Sequence, residues 1–386
     1  MTSLAARRPS GLDDLAARID QARHATLAWL DRMALGDIAR GVHRISAHHD
    51  PQAWPGVLLP GSYNAILCRD LIGGLDDWSD ADKAATITWL EQARLPDGRF
   101  RIAGMTDADV FKKPDPVETW RYIDFHVTNY TLGAIAALQP DRPAVLAFAR
   151  PYLDTHHLLA WLGLRDLRDP WQEGNNIVNL ASFLLLIEQQ GNAAERALVQ
   201  AAFDTLIAWH DRHREPTTGF WGVGQLSDAT QLLHAFAGSM HNFHIWYQRD
   251  LPLPGQAAAV DYCLSLPPSI HSACIDVDAV DVLVHGHQML DHRRAEIEHW
   301  CRQLLGALLD RQHADGGFSD VQHGIRRQDG WVHGYAEPQG LSNTFATWFR
   351  WIAIAMIADL LWPNRWPWRF RQMIGIGYRK AWRHDR

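Results

Sequence analysis

Four cysteines, Cys68, Cys263, Cys274 and Cys301, are all that the 386 residues hold, and no two form a C-x-x-C pair. Scattered in this way they exclude a disulfide framework and a C-x-x-C zinc site, and they read as reduced thiols of a cytosolic protein. Met1 to Gly11 has no apolar stretch of the kind a secretory leader needs. The longest greasy run, Trp351 to Trp362, is interrupted by Asp359 and too short to span a bilayer. The expected location is therefore the cytoplasm. An excess of positive charge is missing as well: the formal net charge is -7 and the pI is near 6.3, which disfavours nucleic acid as a partner. Strand-like alternation is nearly absent, whereas helical periodicity recurs from end to end, so the chain reads as all-α.

What is present in excess is Trp, at 18 residues, and His, at 21. Basic charge collects only at the end, where Arg365, Arg369, Arg371, Arg379, Lys380, Arg383 and Arg386 stand among Trp366, Trp368, Phe370, Tyr378 and Trp382, with Asp385 the one acid. Residues 365–386 are expected to be a basic aromatic tail. Such a mixture suits peripheral contact with an anionic membrane surface, and it equally suits packing on an acidic body.

A short unit recurs. Asp97-Gly98-Arg99-Phe100 returns as Thr218-Gly219-Phe220-Trp221 and as Asp315-Gly316-Gly317-Phe318, each closing an amphipathic helix, and Gln92 and Gln312 stand at two of those helix ends. Glycine there suits a left-handed helix end, with the aromatic folding back over the helix it leaves. Polar, amphipathic helices are expected near 12–34, 81–94, 143–153, 194–213, 256–265 and 293–312. Smaller or more apolar ones are expected near 62–73, 125–138, 175–189, 229–248, 277–290 and 341–361. Six of each in alternation predict an (α/α)6 toroid over residues 1–364, with a buried inner ring and an outer ring with one wet face. All inner helices then point the same way, and their N-terminal ends gather around one mouth.

Those inner-helix starts carry polar residues that a buried helix would otherwise lack. Candidate substrate-binding residues are Tyr63 and Asn64; Asp124, His126 and Asn129; Asn175, Asn176 and Asn179; His234; Trp246; Asn343; and Trp348. Part of this set is ordinary N-capping, including Asn175 and Asn176 after a Gly174 turn. The densest group is Asp276, Asp278 and Asp281, within six positions. Crowded carboxylates cannot all ionise in a dry cavity, so one of them is expected to keep its proton and act as an acid; the other reading is a cap with two solvated acids. His241 and His244, with His234 upstream and His285 and His287 downstream, are candidates to orient or reprotonate an acid. A divalent metal held by the same acids and histidines is an alternative, although no specific metal motif is present, and no cofactor is otherwise implied.

The Gln and Asp-Gly-x-Phe units and the double ring resemble the squalene-cyclase and protein-prenyltransferase superfamily of α/α toroids. In triterpene and class II diterpene cyclases an Asp-x-Asp-Asp segment supplies the proton donor. Asp276-Val277-Asp278-Ala279 matches three of its four positions, so the resemblance implies Asp278 as acid and Asp276 as its neighbour. Ala279 replaces the last Asp, and the zinc ligands of the prenyltransferases do not appear at their spacing, so protein prenylation is not implied. Three readings of function follow: a cyclase-like enzyme that protonates an isoprenoid or lipid-linked substrate; a carbohydrate-active lyase, hydrolase or epimerase in the same cavity; and a non-catalytic scaffold of a biosynthetic pathway.

Overall fold

The computed structural model describes residues 11–107, 116–222, 228–268, 271–321, 325–327, 335–338 and 340–371. Among them twelve α-helices alternate in character. The odd-numbered ones are α1 (Leu12–Met33), α3 (Asp80–Glu91), α5 (Thr155–Leu162), α7 (Ala193–His213), α9 (Gln256–Ser265) and α11 (Arg294–Leu309). The even-numbered ones are α2 (Leu58–Ile72), α4 (Pro116–Leu138), α6 (Pro170–Gln190), α8 (Ala229–Gln248), α10 (Ala273–Met289) and α12 (Thr344–Leu361). One short antiparallel pair, β1 (Ile325–Arg327) with β2 (Ala336–Pro338), precedes α12. The described residues are thus mostly helical, with almost no strand, as the periodicity predicts.

Burial follows the same alternation. On α1 the buried residues Leu15, Ile19, Ala22, Thr26, Trp29 and Met33 recur every three or four positions, the stripe of a helix with one wet face. On α2 every residue is buried. The helix α12 is long and apolar enough to cross a membrane, yet 89% of it is buried within the fold, the environment of a core helix. Each even-numbered helix packs on the next, α2 on α4, α4 on α6, α6 on α8, α8 on α10 and α10 on α12, and α12 packs back on α2. Among the odd-numbered helices, α3 packs on α4, α7 on α6 and α8, α9 on α10, and α11 on α10 and α12.

The recurring turn has a physical role in this packing. Gly98, Gly219 and Gly316 all have positive φ, at 100°, 75° and 93°, a conformation that favours glycine. The residues that follow are fixed by the hydroxyls of even-numbered helices: Phe100 N–H donates to Thr128 Oγ1 at 2.7 Å, Trp221 N–H to Ser239 Oγ at 2.9 Å and Phe318 N–H to Thr347 Oγ1 at 3.0 Å. An unexpected fourth instance lacks the sequence motif: His43 N–H donates to Ser62 Oγ at 2.9 Å. Gln312 braces its unit by donating from Nε2 to Ala22 O and Gly316 O, at 2.8 and 2.9 Å.

Two expectations are corrected. The helix expected near 143–153 is a 3-10 segment, Ala147–Leu153, because Pro151 lacks the N–H that an α-helix needs; the α-helix α5 follows it. The helices α4 and α6 begin well before 125 and 175. The cap of α6 is Asp169, followed by Pro170 in the first turn, so Asn175 and Asn176 lie inside the helix and cap nothing. At the start of the basic stretch the contacts are those of the second reading, packing on acidic groups of the body: Trp366 and Trp368 are buried, Trp366 Nε1 donates to Asp20 at 2.7 Å and Arg371 pairs with buried Asp70 at 2.6 Å. Residues 372–386 lie outside the described residues.

Candidate functional site

The three aspartates at the start of α10 divide into three different environments. Ser272 caps the helix by accepting from Ile275 N–H at 3.2 Å, which sets Asp276 in the first turn. There Asp276 is ion-paired with Arg350 of α12, and it accepts from His271 N–H at 3.0 Å. Arg350 also donates from Nη2 to Asp320 O at 2.8 Å. This buried pair joins α10 to α12, so Asp276 is occupied in holding two helices together.

Asp281 is clasped by histidines. His244 Nε2 of α8 lies 3.0 and 3.1 Å from its two carboxylate oxygens, and His285 Nδ1, one turn along α10, lies 3.1 Å from it. Burial alone would raise the Asp281 carboxyl, but the two histidines outweigh it and hold the group below the ordinary carboxylate range. His285 is in turn stacked on Tyr247, with ring centroids 4.0 Å apart and planes 9° from parallel.

Asp278 has neither kind of partner. It is 0% exposed, and neither carboxyl oxygen has a hydrogen-bond partner. Burial, and then the charges of Asp281 and Asp276, push this carboxyl well above the carboxylate range, which favours its protonated form. His241 lies one turn before His244 on α8, as Asp278 lies one turn before Asp281 on α10. Both ring nitrogens of His241 also lack partners, and burial, with His244 nearby, pushes its pKa down to about 4. It is a neutral imidazole.

Across from these, His126 of α4 is driven well below its ordinary pKa by burial and lies within electrostatic reach of His241. Asn179 of α6 contacts His126 Nδ1 through Nδ2 at 3.4 Å and accepts from Asn129 Nδ2 at 2.8 Å. Tyr130 joins the group to its neighbours, with its ring centroid 4.5 Å from His126, 5.5 Å from Tyr63 and 5.2 Å from Trp348. Tyr130 also lies within electrostatic reach of Asp278. These contacts thus gather Tyr63, His126, Asn129, Tyr130, Asn179, His241, Asp278 and Trp348 of the even-numbered helices into one group.

Other expected residues lie elsewhere or are occupied. Asp124 is held by Arg99 and Arg101, at 2.9 and 2.6 Å, which fixes the Gly98 turn on α4. Asn343 caps α12 by accepting from Ala346 N–H at 2.8 Å. Asn175 donates to Trp171 O at 3.1 Å, Asn176 contacts Glu173 at 3.4 Å, and His234 meets the Trp171 ring at 5.5 Å, so these form a separate group at the start of α6 and α8. Trp246 packs against His210 of α7, centroids 5.5 Å apart. Sequence reasoning missed Tyr130 and Arg350. A buried arginine in an apolar helix such as α12 was a readable signal, since it demands an acidic partner. Among the described residues no group of three or more His, Cys, Asp or Glu is disposed to hold a metal ion.

No protein-family model matches this sequence, and a search of curated proteins finds no significant relative.

Proposed function

We propose that the even-numbered helices form the inner ring of an (α/α)6 toroid, and that the chain is an acid–base enzyme working in its interior with Asp278 as proton donor. The cyclic packing of α2 through α12 and back to α2 supports the toroid. One observation carries the chemistry: a fully buried carboxyl that commits neither oxygen to the fold and whose surroundings favour the protonated form. An acid of this kind resembles catalytic carboxyls kept neutral by an apolar site.

The neighbouring groups have distinct parts in this reading. Asp281, its charge retained by His244 and His285, opposes ionisation of Asp278 and so keeps the proton in place. Asp278 gives that proton to a substrate atom and becomes a carboxylate. Neutral His241, on the facing helix, accepts a proton released from another position of the substrate, and return of a proton to Asp278 closes the cycle. Isomerisation, cyclisation and epimerisation all fit such a scheme. The two substrate classes raised by the sequence, isoprenoids and glycans, both undergo it.

The test does not require a defined substrate. The protein is incubated in D2O with neutral lipid and glycan extracts, and products are searched for one added deuterium. The wild type yields such a product, and Asp278→Asn, which keeps shape and loses the proton, yields it about 10²–10⁴ times more slowly. Formation of the same product by Asp278→Asn at the wild-type rate refutes the assignment.

A further inference from the structure

Among the buried polar atoms left open in the fold are several on α2, α4, α8 and α10. Asn64 Oδ1 on α2, Asn129 Oδ1 on α4, both ring nitrogens of His241 on α8 and both carboxyl oxygens of Asp278 on α10 have no hydrogen-bond partner. The four residues are 3%, 1%, 4% and 0% exposed. Buried polar atoms are nearly always paired, so a cluster of open ones calls for a cause. Contacts and electrostatic reach of their neighbours link the four helices that carry them. Tyr63, beside Asn64, meets Tyr130, beside Asn129, and Tyr130 and His126 reach electrostatically to Asp278 and His241. Asn64 also shares a helix face with Leu67 and Leu71, which line a small cavity with Trp348, Ile352, Arg369, Phe370 and Arg371.

The orientation of Asn129 is set. Its amide NH2 donates to Asn179, and Asn179 Nδ2 contacts His126 Nδ1. The amide oxygen is what remains available.

Taking the acid role of Asp278 as its premise, we propose that this site binds a neutral, polyhydroxylated substrate: a sugar ring or an uncharged stretch of glycan. The open valences define the complement. Two amide oxygens can only accept; a neutral imidazole accepts at one nitrogen and donates at the other; a neutral carboxyl donates through its O–H and accepts through its carbonyl. A ligand must therefore bring donors to the two amides and both donate and accept at His241 and Asp278. Hydroxyl groups do both. A hydrocarbon chain would cover all four residues and leave them unpaired, which low-dielectric surroundings penalise. A diphosphate or carboxylate would find no uncommitted cation among these residues, because Arg350 is paired with Asp276, and Arg369 and Arg371 on the small cavity are paired with Asp76 and Asp70. Tyr63, Tyr130 and Trp348, packed ring against ring, supply an aromatic surface beside these groups.

The test is ligand-dependent thermal stability, with neutral gluco-, galacto- and manno-oligosaccharides, the corresponding uronic-acid oligosaccharides, and geranylgeraniol as probes. A neutral oligosaccharide raises the melting temperature of the wild type. Asn64→Leu and His241→Leu each weaken that binding by about tenfold, the loss of one hydrogen bond. Their ligand-free melting temperatures hold or rise, because each substitution removes polar atoms the fold does not use. Asp278→Asn still binds, since an amide also donates and accepts. Stabilisation by geranylgeraniol or uronates alone, no stabilisation by any neutral oligosaccharide, or a marked fall in the ligand-free stability of both leucine variants overturns the proposal. Glycan binding with full turnover in Asp278→Asn leaves this inference standing and removes the acid role on which it was built.

Discussion

Replacing Asp278 by Asn is expected to stabilise the protein increasingly as pH rises. The folded-state pKa of Asp278 lies well above the ordinary 3.8. In the unfolded chain the group ionises above that value, whereas in the native state it stays protonated, so between the two pKa values the native state binds one more proton than the unfolded one. With that sign, stability falls as pH rises through the window and is highest below the unfolded pKa. The slope is about 1.4 kcal/mol per pH unit for one proton. For 386 residues the entropy of unfolding is about 0.8 kcal/mol/K, which converts the slope to about 2 °C of melting temperature per pH unit. His43 and His241, pushed down to about 3 and about 4, titrate with the opposite sign below neutrality. Titrations common to the two proteins largely cancel in the difference between wild type and Asp278→Asn, although removing Asp278 also perturbs its neighbours. Melting temperatures of both proteins are measured by calorimetry from about pH 4.5 to about pH 6.5, the interval over which the difference should widen steadily. A difference that stays flat across it would show that Asp278 ionises normally, and the acid assignment would fail.

Two further predictions concern the fold that holds the site. A Cβ on Gly174 would lie 2.2 Å from Gly238 O, and one on Gly238 would lie 2.0 Å from Pro170 O; Gly174→Ala should therefore cost about 3 kcal/mol or more, seen in chemical denaturation. Gly306→Ala on α11, with nothing within 4 Å, is the control and should gain about 0.5–1 kcal/mol; equal effects of the two would refute the close helix crossing. Arg350→Met should cost about 3–5 kcal/mol by leaving Asp276 buried and unpaired, or about 4–6 °C in melting temperature. Adding Asp276→Asn should restore most of it, and no restoration would mean that the pair does not carry the loss.

The helices were legible because their burial pattern is local. The stripe of α1 and the all-round apolar face of α12 are written in consecutive residues, and even the Gly98, Gly219 and Gly316 turns announce their backbone conformation. The start of α6 is harder to read, because the Asn175 cluster competes as a cap with Asp169-Pro170, a cap and first-turn signal that stands earlier in the chain. For the candidate site, the sequence names three aspartates but cannot divide them. That division depends on His244, 37 positions from Asp281, and on Arg350, 74 positions from Asp276, and no helical periodicity links residues so far apart. The contact of Gly174 with Gly238 is hidden for the same reason: a glycine inside a helix does not say which backbone approaches it.

That Asp278 carries its proton at neutral pH can be read directly by infrared difference spectroscopy. The carbonyl stretch of a protonated carboxyl is well separated from carboxylate bands, and a desolvated one without hydrogen bonds lies at the high end of its range. The wild type at pH 7 should show this band, shifted in D2O, and Asp278→Asn should lack it while Asp276→Asn retains it. A wild-type spectrum without the band, or one in which it survives Asp278→Asn, contradicts the proton donor proposed here.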